Sequence, residues 1–137
     1  MTLSFDKKRV KVLLLEGISP TARTVFEAAG YTNIEEYPKA LTGADLIAKL
    51  EGVRILGIRS TTELTAEVLQ SAPKLMAVGC FCIGTNQVDL DAALVQGIPV
   101  FNAPFANTRS VAELSLSSII ALMRRTPEKN IALHRGQ

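Results

Sequence analysis

Five short apolar runs recur along the chain, and most are followed by a stretch in which apolar residues return every three or four positions. This alternation is the strongest constraint on the fold. Strands that alternate with helices pair in parallel, and a parallel sheet needs helices over both faces. The runs at 10–16, 34–37, 55–58, 75–80 and 99–102 read as strands. Ser19 and Pro20 supply an N-cap and a first helical residue. The helix they open turns Ala22, Val25, Phe26 and Ala29 inward and stops at Gly30. Residues 42–51 form a second helix with Leu46, Ile47 and Leu50 inward. Shorter helices are expected at 65–70 and 89–95, and a long one at 110–123.

The 137 residues suffice for one cored domain, and 47% hydrophobic with 20% charged residues is a globular balance. A net charge of +2, few aromatic residues and no Trp argue against a nucleic-acid partner. No apolar run reaches the ~18 residues of a membrane span. The polar start of the chain lacks the apolar core of a signal peptide, so a cytoplasmic, non-membrane protein is expected. Cys80 and Cys82 sit in an apolar run, and His134 is the only imidazole, which is too little for a metal site.

The last long helix differs from the others. Val111, Leu114, Leu116, Ile119, Ile120, Leu122 and Met123 spread around most of its circumference. An outer helix of such a sheet is apolar on one side only, so a second partner layer is inferred. Helix-forming residues then run to near the last position, and the chain reads as cut.

In open parallel sheets, ligands bind beyond the carboxyl ends of the strands. After the third strand, Arg59, Ser60, Thr61 and Thr62 combine a cation, hydroxyls and backbone amides, which are suitable for a carboxylate or phosphate. After the fourth, Ile83 and Gly84 place a glycine where the backbone turns sharply or approaches a ligand. Asn107 has no capping duty in this reading, and its carboxamide is free to donate and accept. Ser110 and Glu113 have the spacing of a capping box. No G-x-G-x-x-G follows any strand, and the glycines at 79 and 84 lack the lysine of a P-loop. Arg124, Arg125, Lys129 and Arg135 read as a solvated basic face near a helix end.

Four segments carry a specific likeness: VGCFCIGTNQVDLDAA at 78–93, GIPVFNAPFANTRSVAEL at 97–114, AAGYTNIE at 28–35 and GIRS at 57–60. In these the chain resembles the bacterial D-3-phosphoglycerate dehydrogenases, a branch of the D-isomer 2-hydroxyacid dehydrogenase family. The resemblance runs over nearly the whole sequence. It implies NAD-dependent oxidation of 3-phosphoglycerate or a related 2-hydroxy acid, in the first step of serine synthesis. It also implies a flavodoxin-like α/β substrate domain, five parallel strands with helices on both faces, at residues 1–109. Residues 110–137 become an inter-domain helix crossing to a Rossmann domain that holds most of the NAD.

Carried over by position, Arg59 and Ser60 meet the substrate's carboxylate or phosphate, and the amides around Ile83 and Gly84 hold the carboxylate. Asn107 lies near the substrate and the nicotinamide, and Lys39 belongs to the cationic surround. One departure is Thr61, where the family pattern has an arginine. The family's catalytic His, Glu and Arg lie in later sequence, so no catalytic residue is expected here and these 137 residues are expected to be inactive alone. The expected partners are the missing nucleotide-binding domain or a homo-oligomer mate. The alternative is a stand-alone, non-catalytic anion-binding or protein-interaction domain of the same fold.

Overall fold

The computed structural model describes residues 6–136 and divides into two compact units, Met1–Pro104 and Phe105–Gln137. The first unit holds five parallel strands: β1 Lys11–Leu14, β2 Asn33–Glu36, β3 Val53–Ile58, β4 Ala77–Cys80 and β5 Val100–Asn102. Their spatial order is β2-β1-β3-β4-β5, all pairs parallel. That is the flavodoxin-like order, in which the strand sequence reverses beside β1 and leaves a crevice at the carboxyl ends of β1 and β3.

The helices between the strands are α1 Pro20–Ala28, α2 Gly43–Lys49, α3 Ala66–Gln70 and α4 Leu90–Val95. Local chemistry sets where they begin. Ser19 Oγ accepts from the Thr21 amide, Thr65 Oγ1 from Val68 and Asp89 Oδ1 from Ala92, so three helix starts are capped by side chains. Gly30, at φ 93°, follows the C-cap of α1 and takes the left-handed turn that a side chain resists.

Alternation along β1 divides the core. Leu13 and Leu15 join Leu46 and Leu50 of α2, Val68 and Leu69 of α3 and Ala93 of α4. Val12 and Leu14 point to the other face, with Ala22 and Phe26 of α1, Ile34 and Ile55. Three helices cover one face, and of this unit's helices only α1 covers the other. Val25, expected to be inward, is instead 62% exposed. It lines a cleft of about 470 Å³ with Ala22, Phe26 and Phe81, because the sheet surface beside α1 carries no further helix of this unit. Gly57 in β3 is fixed by packing. A Cβ there would lie 2.7 Å from Leu14 Cδ2 and 3.0 Å from the Phe81 ring.

The second unit is two helices, α5 Thr108–Arg124 and α6 Thr126–His134. Arg125, left-handed at φ 53°, breaks them apart, and Pro127 suits the first turn that follows. The Ser110–Glu113 capping box is not formed. The helix starts earlier, at Thr108, which places Ser110 inside it, and Glu113 pairs with Arg109 one turn back at 2.7 Å. No residue of α5 or α6 is buried. None of the described helices is long and apolar enough to cross a membrane.

Candidate functional site

The carboxyl ends of β1, β3, β4 and β5 are tied together by polar groups. Glu16, two residues past β1, adopts a left-handed backbone at φ 62° and Gly17 follows at φ 59°. Their amides donate to the carbonyls of Lys39 and Tyr37. The turn sends the Glu16 carboxylate across to the loop after β3. Its Oε1 accepts from the amides of Arg59 (3.0 Å) and Thr62 (2.9 Å), and its Oε2 from Thr61 (3.0 Å).

Partial burial pushes the Glu16 carboxyl upward. The Thr62 hydroxyl nearby and the three backbone donors outweigh burial and hold it below its ordinary value. The buried Thr62 Oγ1 falls short of hydrogen-bond geometry and is left without a partner.

This changes the role read for residues 59–62. The sequence reading offers these amides to a ligand, and a carboxylate of the chain itself already holds three of them. The loop is also not the start of α3, since Leu64 first bridges to Val88 beside it. The side chains of Arg59, Ser60 and Thr61 remain outward, all exposed. Among the described residues the Arg59 guanidinium has no ion-pair partner.

The second loop lies against the first. Gln87, buried, donates through Nε2 to the carbonyls of Arg59 (2.7 Å) and Gly84 (3.3 Å). Cys82 Sγ stands 3.2 Å from the Gly84 carbonyl and 3.5 Å from that of Arg59. From β5, Asn102 Nδ2 donates to the Ile83 carbonyl at 2.7 Å. These bonds use the carbonyls of Ile83 and Gly84. Among the described residues their amides donate to no protein acceptor. Gly84 is not left-handed. A Cβ there would meet Asn86 Oδ1 at 2.7 Å, so the glycine makes room for the carboxamide of its own loop.

The first unit therefore brings Arg59, Ser60, Ile83 and Gly84 together at adjacent strand ends, with Lys39 represented by its carbonyl. Asn107 belongs to the second unit. It is the N-cap residue of α5, its carbonyl accepts from Val111, and its side chain makes no capping bond. The sequence reading gave Glu16, Gln87 and Asn102 no role at the site and took Cys82 only as a thiol in an apolar run. A glutamate followed by glycine directly after a strand is the one signal that pointed to such a turn.

Burial raises the Cys80 thiol to about 11, so it stays a protonated core group. A cleft of about 640 Å³ opens at the opposite ends of the strands, beside Lys11, Lys49 and Lys74. Glu35 there pairs with both Lys11 and Lys49. Asp45 and Glu51 lie in the same cleft, so its charge is balanced and it is a poor anion site.

Among the described residues, the carboxyl end of β1 offers no seat for a dinucleotide. The turn after β1 has no glycine-rich amide cradle, and the amides facing it are taken by Glu16. This turn does not fit the pyrophosphate of NAD.

The chain is 58% identical over 134 residues to D-3-phosphoglycerate dehydrogenase of Haemophilus influenzae and 52% identical to that of Escherichia coli K12. Both alignments cover 98% of this chain and 33% of the relative, so the chain spans about a third of the curated relatives it matches. D-3-phosphoglycerate dehydrogenase 1 of Saccharomyces cerevisiae is 52% identical over 132 residues, 96% of this chain and 28% of the relative. The TT0316 protein of Thermus thermophilus superposes with a TM-score of 0.76 at 28% identity, over 93% of this chain and 41% of that one. D-lactate dehydrogenase of Aquifex aeolicus, solved with NAD and lactic acid, shares the fold (TM-score 0.77, 22% identity, 91% of this chain, 37% of that one). Residues 12–128 match the catalytic domain of the D-isomer specific 2-hydroxyacid dehydrogenases, and the chain belongs to that family.

Proposed function

We propose that this chain is the substrate-binding part of an NAD-dependent D-3-phosphoglycerate dehydrogenase, which converts 3-phosphoglycerate to 3-phosphohydroxypyruvate. The carrying observation is the 52–58% identity, over 98% of the chain, to proteins of that name. Arg59 and Ser60 take the substrate's carboxylate or phosphate, and the amides of Ile83 and Gly84 hold the carboxylate. A guanidinium and open amides at neighbouring strand ends are matched to an oxyanion. The first unit forms the core of the binding domain, whose proposed boundary at residue 109 falls within the first turn of α5. Residues 110–137 form the crossing helix and the start of a nucleotide-binding part that holds NAD, with Asn107 near the nicotinamide. The enzyme works in the cytoplasm, in serine synthesis.

These residues do not perform the oxidation alone. Removal of hydride from a 2-hydroxy acid needs a base for the hydroxyl proton. His134, the single imidazole, lies in α6 with Nδ1 2.9 Å from the Asn130 carbonyl of the same helix. NAD supplies the hydride acceptor when bound elsewhere in the enzyme.

Calorimetric titration of the 137-residue chain with 3-phosphoglycerate tests the reading. Binding is expected, with affinity falling ~10-fold or more in Arg59→Ala, the worth of one or more charge-assisted hydrogen bonds. The chain with NAD and 3-phosphoglycerate is expected to form no NADH. Absent binding, or binding indifferent to Arg59→Ala, overturns the site. Turnover by the chain alone overturns its assignment as an inactive part.

A further inference from the structure

The two strand-end loops are bonded directly to each other. Past β3 and β4, contact between them runs through the Gln87 carboxamide, the Cys82 thiol and the short bridge from Leu64 to Val88. An amide NH2 has two protons, and Gln87 Nε2 faces the Arg59 and Gly84 carbonyls, so it can satisfy both. Those contacts also fix its orientation, because an oxygen turned to two carbonyl oxygens would be repelled. Gln87 is buried, so water does not compete for these bonds. From below, Glu16 gathers the amides of Arg59, Thr61 and Thr62 on one carboxylate. The Arg59 peptide links are thus held on both sides, the N–H by Glu16 and the C=O by Gln87.

We propose that Glu16 and Gln87 are positioning residues that hold the Arg59 and Gly84 loops as one unit, presenting the Arg59 guanidinium and the amides of Ile83 and Gly84 at a fixed separation. This rests on the anion-binding reading of those loops. Neither residue touches the substrate. Gln87 sets the spacing between cation and amides, and Glu16 keeps the amides of Arg59, Thr61 and Thr62 turned inward. A bound oxyanion is therefore read by the side chain of Arg59 and not by its backbone.

The test is 15N NMR of the full 137-residue chain, first without ligand and then titrated with 3-phosphoglycerate. The Ser60 and Thr85 amides follow the Arg59 and Gly84 carbonyls in sequence and report on the bonds those carbonyls accept. In Gln87→Met both resonances are expected to move upfield together. In Glu16→Gln the Arg59, Thr61 and Thr62 amides are expected to exchange faster, and the Ile83 and Gly84 amides to move as well, although Glu16 does not touch them. Each variant is expected to weaken 3-phosphoglycerate binding ~5- to 10-fold, on the scale of one hydrogen bond.

Gln87→Asn, which keeps the donor but is too short to span both carbonyls, serves if the Met variant does not fold. Shifts confined to one loop, or an affinity unchanged in both variants, overturn the proposal. Silence of the unsubstituted chain toward 3-phosphoglycerate overturns the binding reading. The ligand-free spectra still decide whether the loops are coupled.

Discussion

The two units follow opposite rules of burial. In the first, most apolar residues of β1 and β3 and one side of α2 and α3 are removed from water. In the second, Leu114 and Met123 are 69% and 80% exposed, and no side chain of either helix is buried. Both are rich in aliphatic residues, so composition does not separate them. Spacing does. The helices of the first unit show an apolar stripe that one sheet face can cover, whereas α5 shows apolar residues around most of its circumference, which two helices cannot cover. A large share of apolar surface on so small a unit marks a surface that takes a partner.

The largest effect expected from a single substitution lies in the first core. Leu56 of β3 is fully buried, and Leu56→Ala is expected to cost ~2–5 kcal/mol, the range for a leucine cavity that cannot collapse. Urea denaturation of the chain measures it. A cost under ~1 kcal/mol would place Leu56 outside a closed core and remove the contrast between the units.

Two glycines sharpen the same point inside the first unit. Gly57→Ala drives a methyl group to 2.7 Å from Leu14 Cδ2 and 3.0 Å from Phe81, in the middle of the sheet. Its expected cost is ~1–3 kcal/mol. Gly79→Ala, one strand over, meets nothing nearer than the Phe81 ring at 3.4 Å and is expected to cost less. Thermal melts of the pair compare them directly. Equal costs would mean that the uncovered part of the sheet face is packed as tightly as the part under α1.

The core was the legible part of this molecule, for a physical reason. Strand and helix periodicities are local, so Leu13, Leu46, Leu56 and Val78 could be assigned to a core from their neighbours alone. The caps Ser19, Thr65 and Asp89 are local too, two or three residues from the amides they meet. The site was half legible. Arg59, Ser60, Ile83 and Gly84 follow from the rule that ligands sit at strand ends. Glu16 meets partners 43 to 46 residues away, and Gln87 meets Arg59 28 residues away. Nothing in the local pattern announces such bonds. Ser110 and Glu113 failed in the opposite sense: the local signal was present, but the helix began one turn earlier than it indicated.

Acid is expected to distinguish the strand-end network from the apolar core. The folded chain holds the Glu16 carboxyl below its ordinary value, so the folded state prefers it ionised. Its contribution to stability is therefore complete above the unfolded value. It declines as pH falls through that value and is gone below the folded one. Urea midpoints followed from pH ~7 to ~3 are expected to fall less steeply at the acid end in Glu16→Gln than in the unsubstituted chain. Parallel slopes would mean that the three amides give this carboxylate no preference for its charged form.

The smallest effect lies in α5. Leu114→Ser removes an apolar side chain of the size of Leu56, but from a position already in water, so its stability cost is expected to stay within ~0.5 kcal/mol. Sedimentation of the same variant carries more information than its melt. If the exposed side of α5 is a surface for a partner or for a second copy, the unsubstituted chain self-associates at high concentration and Leu114→Ser does so less. A stability loss comparable to that of Leu56→Ala would show that Leu114 is buried in the chain in solution. The difference between the two units would then be one of partners found within the chain or outside it, and not of sequence pattern.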